Sequence, residues 1–143
     1  MKVVQIIIKG LILLLLFTPT FIFAQKIDTL SIKKNLAEIY KLDQNVRNSK
    51  DCSRSTKRID SINLLKVEQI IKKYGWPGKS FVGDSGNLTV FLVIQHSNLQ
   101  TQEKYLPKLK ASVEKNESPA LHLAYIQDRI LTGKGQKQMY GTQ

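Results

Sequence analysis

Beyond about residue 30, apolar residues recur at steps of three and four, the spacing that lays one hydrophobic face along an α-helix. Ile32, Leu36, Ile39 and Val46 form such a stripe over Ser31–Val46, with Ser31 placed to cap its start. Ile59, Val67, Ile70, Ile71 and Tyr74 form a second stripe over Arg54–Tyr74. The run Tyr74-Gly75-Trp76-Pro77-Gly78 ends it: Gly75 suits the C-terminal cap and Pro77 cannot continue a helix. Phe81–Gly86 reads as a turn-rich connection. Leu88–Ile94, LTVFLVI, is apolar on every side, so periodicity leaves a buried helix and a buried strand both open. The stretch that follows, Gln95–Asn116, is helix-like, with Pro107 predicting a bend or break. A last helix is predicted from Ser118 as N-cap, with Pro119 in its first position and Gly133 as its stop. The pattern predicts an all-α domain of four to five helices, without internal repeats.

Several polar residues fall where these wheels call for apolar ones. At about 100° per residue, Asp43 lies inside the first stripe with Arg47 at its edge. Asn63 lies inside the second, with Asp60 toward its edge. In the last helix Asp128 falls among Leu121, Ala124 and Leu131, while Arg129 and His122 project from the opposite face, where His122 reads as solvated. Gln95 and His96 close the most apolar segment of the chain. A buried carboxylate without a partner is costly. Arg47 stands four residues from Asp43, within pairing distance on one helix face. For Asp128 the candidates are His96, Arg47 and Arg129. Two arrangements satisfy the pattern: a salt-bridge network that fixes helix register, or a pocket lined by Asp43, Arg47, Asn63, His96 and Asp128. His96 is the residue best suited to proton transfer near neutral pH.

The N-terminus changes the address of the protein rather than its fold. Lys2 and Lys9 precede and flank an aliphatic run over Gly10–Phe17, Pro19 interrupts it, and Ala24 precedes Gln25. This is the three-part pattern of a secretory signal peptide, and the run is short of the roughly 20 residues a spanning helix needs. The reading is a signal peptide over 1–24, cleaved near Ala24, and a helical domain over 25–143 that is periplasmic or secreted. Contact with a membrane is then expected only through the signal peptide or weak attraction of the basic surface. Loss of Lys2 and Lys9 leaves +9 of the formal +11 charge. The basic residues are spread along the chain and not interleaved with aromatics, which argues against a nucleic-acid partner. A solvated basic face that adheres to anionic envelope components is the simpler reading.

Motif chemistry is sparse. The single cysteine, Cys52, excludes an intramolecular disulfide and a cysteine-based zinc site. There is no phosphate loop, GxSxG or HExxH, and no paired-histidine spacing, so neither a metal nor a cofactor is expected.

Taken in order, DQNVR (Asp43–Arg47), YGWPGKSFVG (Tyr74–Gly83), IQHSNLQTQ (Ile94–Gln102), AYIQDRI (Ala124–Ile130) and GQKQMYGTQ (Gly135–Gln143) resemble an uncharacterised bacterial family, domain of unknown function 6624. The resemblance spans nearly the whole mature chain. It implies a mainly helical fold, and hence a helix for LTVFLVI. Its motif positions fall on Asp43, Gln44, Arg47, Trp76, Pro77, Gln95, His96, Asp128, Arg129, Gln138, Tyr140 and Gln143. Members run on past Tyr-Gly-Thr-Gln, so the resemblance implies that this chain is a shortened one. The residues and the resemblance together give three expectations. The first is a binding module for a small polar or anionic ligand, using Arg47, His96 and Arg129 with Asp43, Asn63 and Gln95, and with Gln138, Tyr140 and Gln143 as its rim. The second is a hydrolase of an envelope substrate, with His96 as acid/base and Asp128 as its orienting partner. The third is a structural protein acting through its basic surface. The segment after Gly133 is expected to fold back as a wall of the site rather than fray.

Overall fold

The computed structural model describes residues 28–48 and 53–143. The signal-peptide reading and Cys52 lie outside them. The chain divides into two units, Met1–Ser31 and Ile32–Gln143. Of the first, residues 28–31 are described and are helical. The second holds the bundle.

Five helices and no strand occur among the described residues: α1 over residues 28–48, α2 Ser53–Tyr74, α3 Lys79–Gln95, α4 Leu99–Glu114 and α5 Ala120–Gly133. In α1 and α2 most of the core comes from the stripes the spacing predicts, whereas α5 turns inward a different face from the predicted Leu121, Ala124 and Leu131. Ile32, Leu36 and Ile39 of α1 meet Val67, Ile70 and Ile71 of α2, Val90, Phe91, Val93 and Ile94 of α3, Tyr105 and Leu109 of α4, and Ile126 and Ile130 of α5. LTVFLVI is therefore a buried helix. It is apolar all round because α2, α4 and α5 all pack against α3.

Connections of a few residues make successive helices antiparallel. The C-terminal ends of α1, α3 and α5 and the N-terminal ends of α2 and α4 thus share one end of the bundle. The motif Tyr74–Gly78 lies at the other. There Ser118 Oγ accepts from Trp76 Nε1 (3.1 Å) and Asn87 Nδ2 (2.8 Å) and is 2.8 Å from Ser112 Oγ. Asn87 Nδ2 also donates to the Pro77 carbonyl, and Glu117 accepts from the Ser80 amide at 2.9 Å.

Several boundaries depart from the sequence reading. Ser31 is inside α1, which is already helical at residue 28. Phe81–Gly86 is helical: α3 begins at Lys79 and kinks at Gly83, whose φ 77° and ψ 170° only glycine adopts readily. Pro107 does not break α4. It and Glu103, whose carbonyl it cannot serve, are both exposed, so the missing bond lies on the solvent face. Ser118 is not the cap of α5. That place falls to Pro119, and Ser118 turns inward as the hub just described. Gly133 is the last helical residue of α5 rather than its stop. The stop is Gly135, at φ 70°, with its amide on the Thr132 carbonyl and the Gln136 amide on that of Leu131.

Candidate functional site

Asp43, in the last turns of α1, is 2% exposed and is the centre of a knot drawn from three helices. Its Oδ1 accepts from Arg47 Nη2 at 2.9 Å and lies 3.1 Å from His96 Nδ1. Its Oδ2 accepts from Arg47 Nε at 3.3 Å and Gln44 Nε2 at 2.9 Å. Arg47 Nη2 also reaches Asp60 Oδ1 of α2 at 2.7 Å. Helical spacing explains the local part: Asp43 and Arg47 are four apart and stack on one face. The remainder is tertiary. Arg47–Asp60 ties α1 to α2, and His96, at the C-cap of α3, closes the knot from a third direction.

Burial alone pushes the Asp43 carboxyl up. The hydrogen bonds and charges of His96 and Arg47 more than offset this and hold it at about 2. An ionised carboxylate only accepts, so the proton between the two groups belongs to His96 Nδ1. In the neutral imidazole Nε2 then carries the free lone pair. That nitrogen has no hydrogen-bond partner among the described residues, and the His96 side chain is 19% exposed.

Asp43, Asp60 and His96 each offer a donor atom within 4.8 Å of the others, as metal ligands would. The set fits an arginine better than a metal. Arg47 Nη2 already bridges the two carboxylates at 2.9 and 2.7 Å, where a cation would sit. Asn63, one turn beyond Asp60, is 1% exposed, and neither of its amide atoms has a partner among the described residues. With Arg47 opposite Asp60 in an antiparallel pair, Asn63 comes level with Asp43.

The second cluster surrounds Asp128. The sequence reading sought a cation for it. The structure gives it backbone instead: the amides of Met139 (2.7 Å), Tyr140 (3.0 and 3.2 Å) and Thr142 (2.9 Å), and the Thr142 hydroxyl (3.0 Å). Burial raises its carboxyl, and these donors bring it down to about 2. Asp128 lies about 200° around α5 from Ile126, away from the core. It is fully buried because the C-terminal segment covers that side. Leu121, assigned to the same stripe, is 59% exposed. The α5 face toward the core carries His122, Ile126 and Ile130. His122 is accordingly not solvated: it is buried and stacks on Phe91, centroids 4.0 Å apart and planes 4° from parallel.

The folded-back segment is held by more than Asp128. Gln138 Oε1 accepts from the Gln143 amide at 2.8 Å, Gln138 Nε2 donates back to the Gln143 carbonyl, and Gln143 Nε2 donates to the Tyr125 carbonyl. Tyr140 is 53% exposed and lines a shallow cleft with Leu121, Ala124 and Gln127. Among the described residues no hydrogen bond or ion pair joins this strap to the Asp43 knot. The expected single cluster is therefore two. His96 takes Asp43 as its carboxylate, not Asp128, and the rim residues Gln138, Tyr140 and Gln143 belong with Asp128. Arg129 is half-buried with its Nε unpartnered, and Gln95 is buried beside His96. Sequence reasoning passed over Ser118 and Asn87 as buried polar residues. Only Asn87, polar within the α3 segment, left a trace in the pattern.

Comparison with known proteins adds one finding. A family model described as a family of unknown function (DUF6624) matches residues 29–143. No curated protein and no solved structure matches the chain.

Proposed function

The chain belongs to the DUF6624 family, and from that premise we propose that it is an exported protein that binds a small polar ligand at His96. The observation that carries this is the His96–Asp43 pair. A buried, ionised carboxylate fixes the Nδ1 proton and leaves the Nε2 lone pair free at a partly exposed position. The ligand this suits is a hydrogen-bond donor, a hydroxyl or an ammonium group. The buried, unpartnered amide of Asn63, one turn beyond Asp60, marks an incompletely satisfied polar centre at the same end of the bundle. Arg47 has a different part from the one its charge suggested. Held by two carboxylates, it positions them rather than receiving an anion.

Thermal unfolding in the presence of small alcohols, amino sugars and amino acids tests the reading. A ligand at a hundred times its Kd stabilises by about 2.7 kcal/mol, so a true ligand raises the Tm of the wild type and leaves that of His96→Ala unchanged. Equal shifts in both proteins would place binding elsewhere.

A second reading rests on the same pair. An imidazole oriented by a carboxylate is also the general-base arrangement of hydrolases, with Asp43 in the orienting place first given to Asp128. Turnover of chromogenic esters or amides that disappears in His96→Ala would favour it over binding alone.

Export is supported by Lys2, Lys9, the Gly10–Phe17 run and Ala24. No helix among the described residues is long and apolar enough to cross a membrane. N-terminal sequencing of the protein from a bacterial host tests it: a mature chain starting at Gln25 is expected, and a retained Met1 would refute export by cleavage.

A further inference from the structure

A hollow of about 330 Å³ runs between α1 and α3, and no residue of the Asp43 knot lines it. Its walls are two facing stripes. Lys33, Ala37 and Tyr40 are one helical turn apart on α1, and Val82, Gly86 and Thr89 follow the same spacing on α3. Each stripe has a small residue at its middle, Ala37 on one side and Gly86 on the other, which leaves the space between the helices unfilled. Gly86 cannot be enlarged to fill it. A Cβ there would lie 2.8 Å from Val82 Cβ and 3.3 Å from Leu36 Cδ1. The one buried hydroxyl in the lining is already committed, since Thr89 Oγ1 donates to the Ser85 carbonyl at 2.8 Å. The floor is therefore apolar in effect. Lys33 is exposed at the rim, and no carboxylate pairs with it among the described residues.

An apolar hollow with one uncompensated ammonium at its mouth has the chemistry of a site for an amphiphile. We infer that the α1–α3 hollow binds a small amphiphile with an apolar tail and an anionic head, the tail lying between Ala37 and Gly86 and the head at Lys33. At the roughly 30 Å³ that a water takes in the liquid, the space holds a tail of about ten heavy atoms. A free medium-chain carboxylate and the chain of an anionic lipid share this chemistry.

Isothermal titration of the purified protein with decanoate and with decanol tests the site. Saturable one-to-one binding of decanoate is expected, at least tenfold tighter than that of decanol. Lys33→Gln removes that preference and leaves decanol binding unchanged. Ala37→Leu, which fills the hollow from its exposed side, abolishes binding of both, and its helical circular dichroism matches that of the wild type. If Ala37→Leu does not fold, Lys33→Gln decides alone. The inference is overturned if decanoate does not saturate, if Ala37→Leu binds it as the wild type does, or if Lys33→Gln keeps the preference for decanoate. Sedimentation with vesicles containing anionic lipid separates the sources. Vesicle binding that Ala37→Leu abolishes, together with decanoate binding, assigns the site to lipid chains, and decanoate binding with vesicle binding absent or unaltered by Ala37→Leu assigns it to free acids. Binding to vesicles alone reduces the effect to adhesion of the basic surface and overturns the site. His96→Ala leaves every one of these results unchanged, so failure here is distinct from failure of the His96 reading.

Discussion

Burial alone would raise the pKa of Asp43 and Asp128, and the donors arranged around each more than reverse that. Both carboxyls stand at about 2 in the fold against 3.8 in an unfolded chain, so the unfolded chain holds more protons between those values. Their stabilisation is complete above 3.8 and is lost as pH falls through about 2. His122 adds an earlier step of the same sign. Burial against Phe91 lowers its pKa from 6.5, so the unfolded chain takes up a proton first and stability declines as pH drops below 6.5. Urea unfolding across this range should show two declines, and His122→Leu should remove only the first. Asp43→Asn leaves Arg47 and His96 without their shared carboxylate, and breaking a buried pair of this kind costs roughly 3 kcal/mol, read as a lower unfolding midpoint. At this scale the sequence found the burial of Asp43 and Asn63 and the Asp43–Arg47 pair, but it misplaced His122 at the surface and sought the wrong partners for Asp128. Asp43 and Asn63 are buried as their wheels require. Asp128 is buried too, but by a segment that no wheel of α5 contains.

The strap after α5 behaves as an element although it has no regular structure. Its amides converge on one carboxylate, so Asp128→Ala should release the whole segment rather than one residue. Trypsin cleavage after Lys134 and Lys137 should then quicken markedly with little change in helical signal. At the other end of the bundle, Ser118→Ala leaves the Trp76 indole and the Asn87 amide short of an acceptor, which should cost about 2 kcal/mol without affecting ligand binding. The helices themselves were legible from spacing, and the errors have local causes. Phe81–Gly86 looked like a loop because a glycine kink inside a helix carries the same residues as a turn. Pro107 looked like a break because sequence alone does not say that its carbonyl partner faces solvent. Ser118 looked like a cap because a serine before a proline-led helix usually is one.

Across the whole molecule, the antiparallel order of five helices sorts the polar residues by end. The Tyr74–Gly78 turn, Asn87, Ser112, Glu117 and Ser118 bind the bundle together at one end, although the Asn87 Oδ1 there is buried without a partner. Asp43, Arg47, Asp60, Asn63, Gln95 and His96 gather at the other, where an unpartnered amide and a free imidazole nitrogen remain. The wheels could mark these residues one helix at a time. They could not say that Asp128 faces outward from α5 to the strap, which separates it from His96, because that depends on how α5 is rotated against α3. The proposal rests on the proton position in the Asp43–His96 pair, and nitrogen NMR of the imidazole reads it directly. With the ring neutral, the account predicts His96 protonated on Nδ1 and bare on Nε2 in the wild type, with the preference weakened in Asp43→Asn. A wild-type His96 carrying its proton on Nε2 would contradict it.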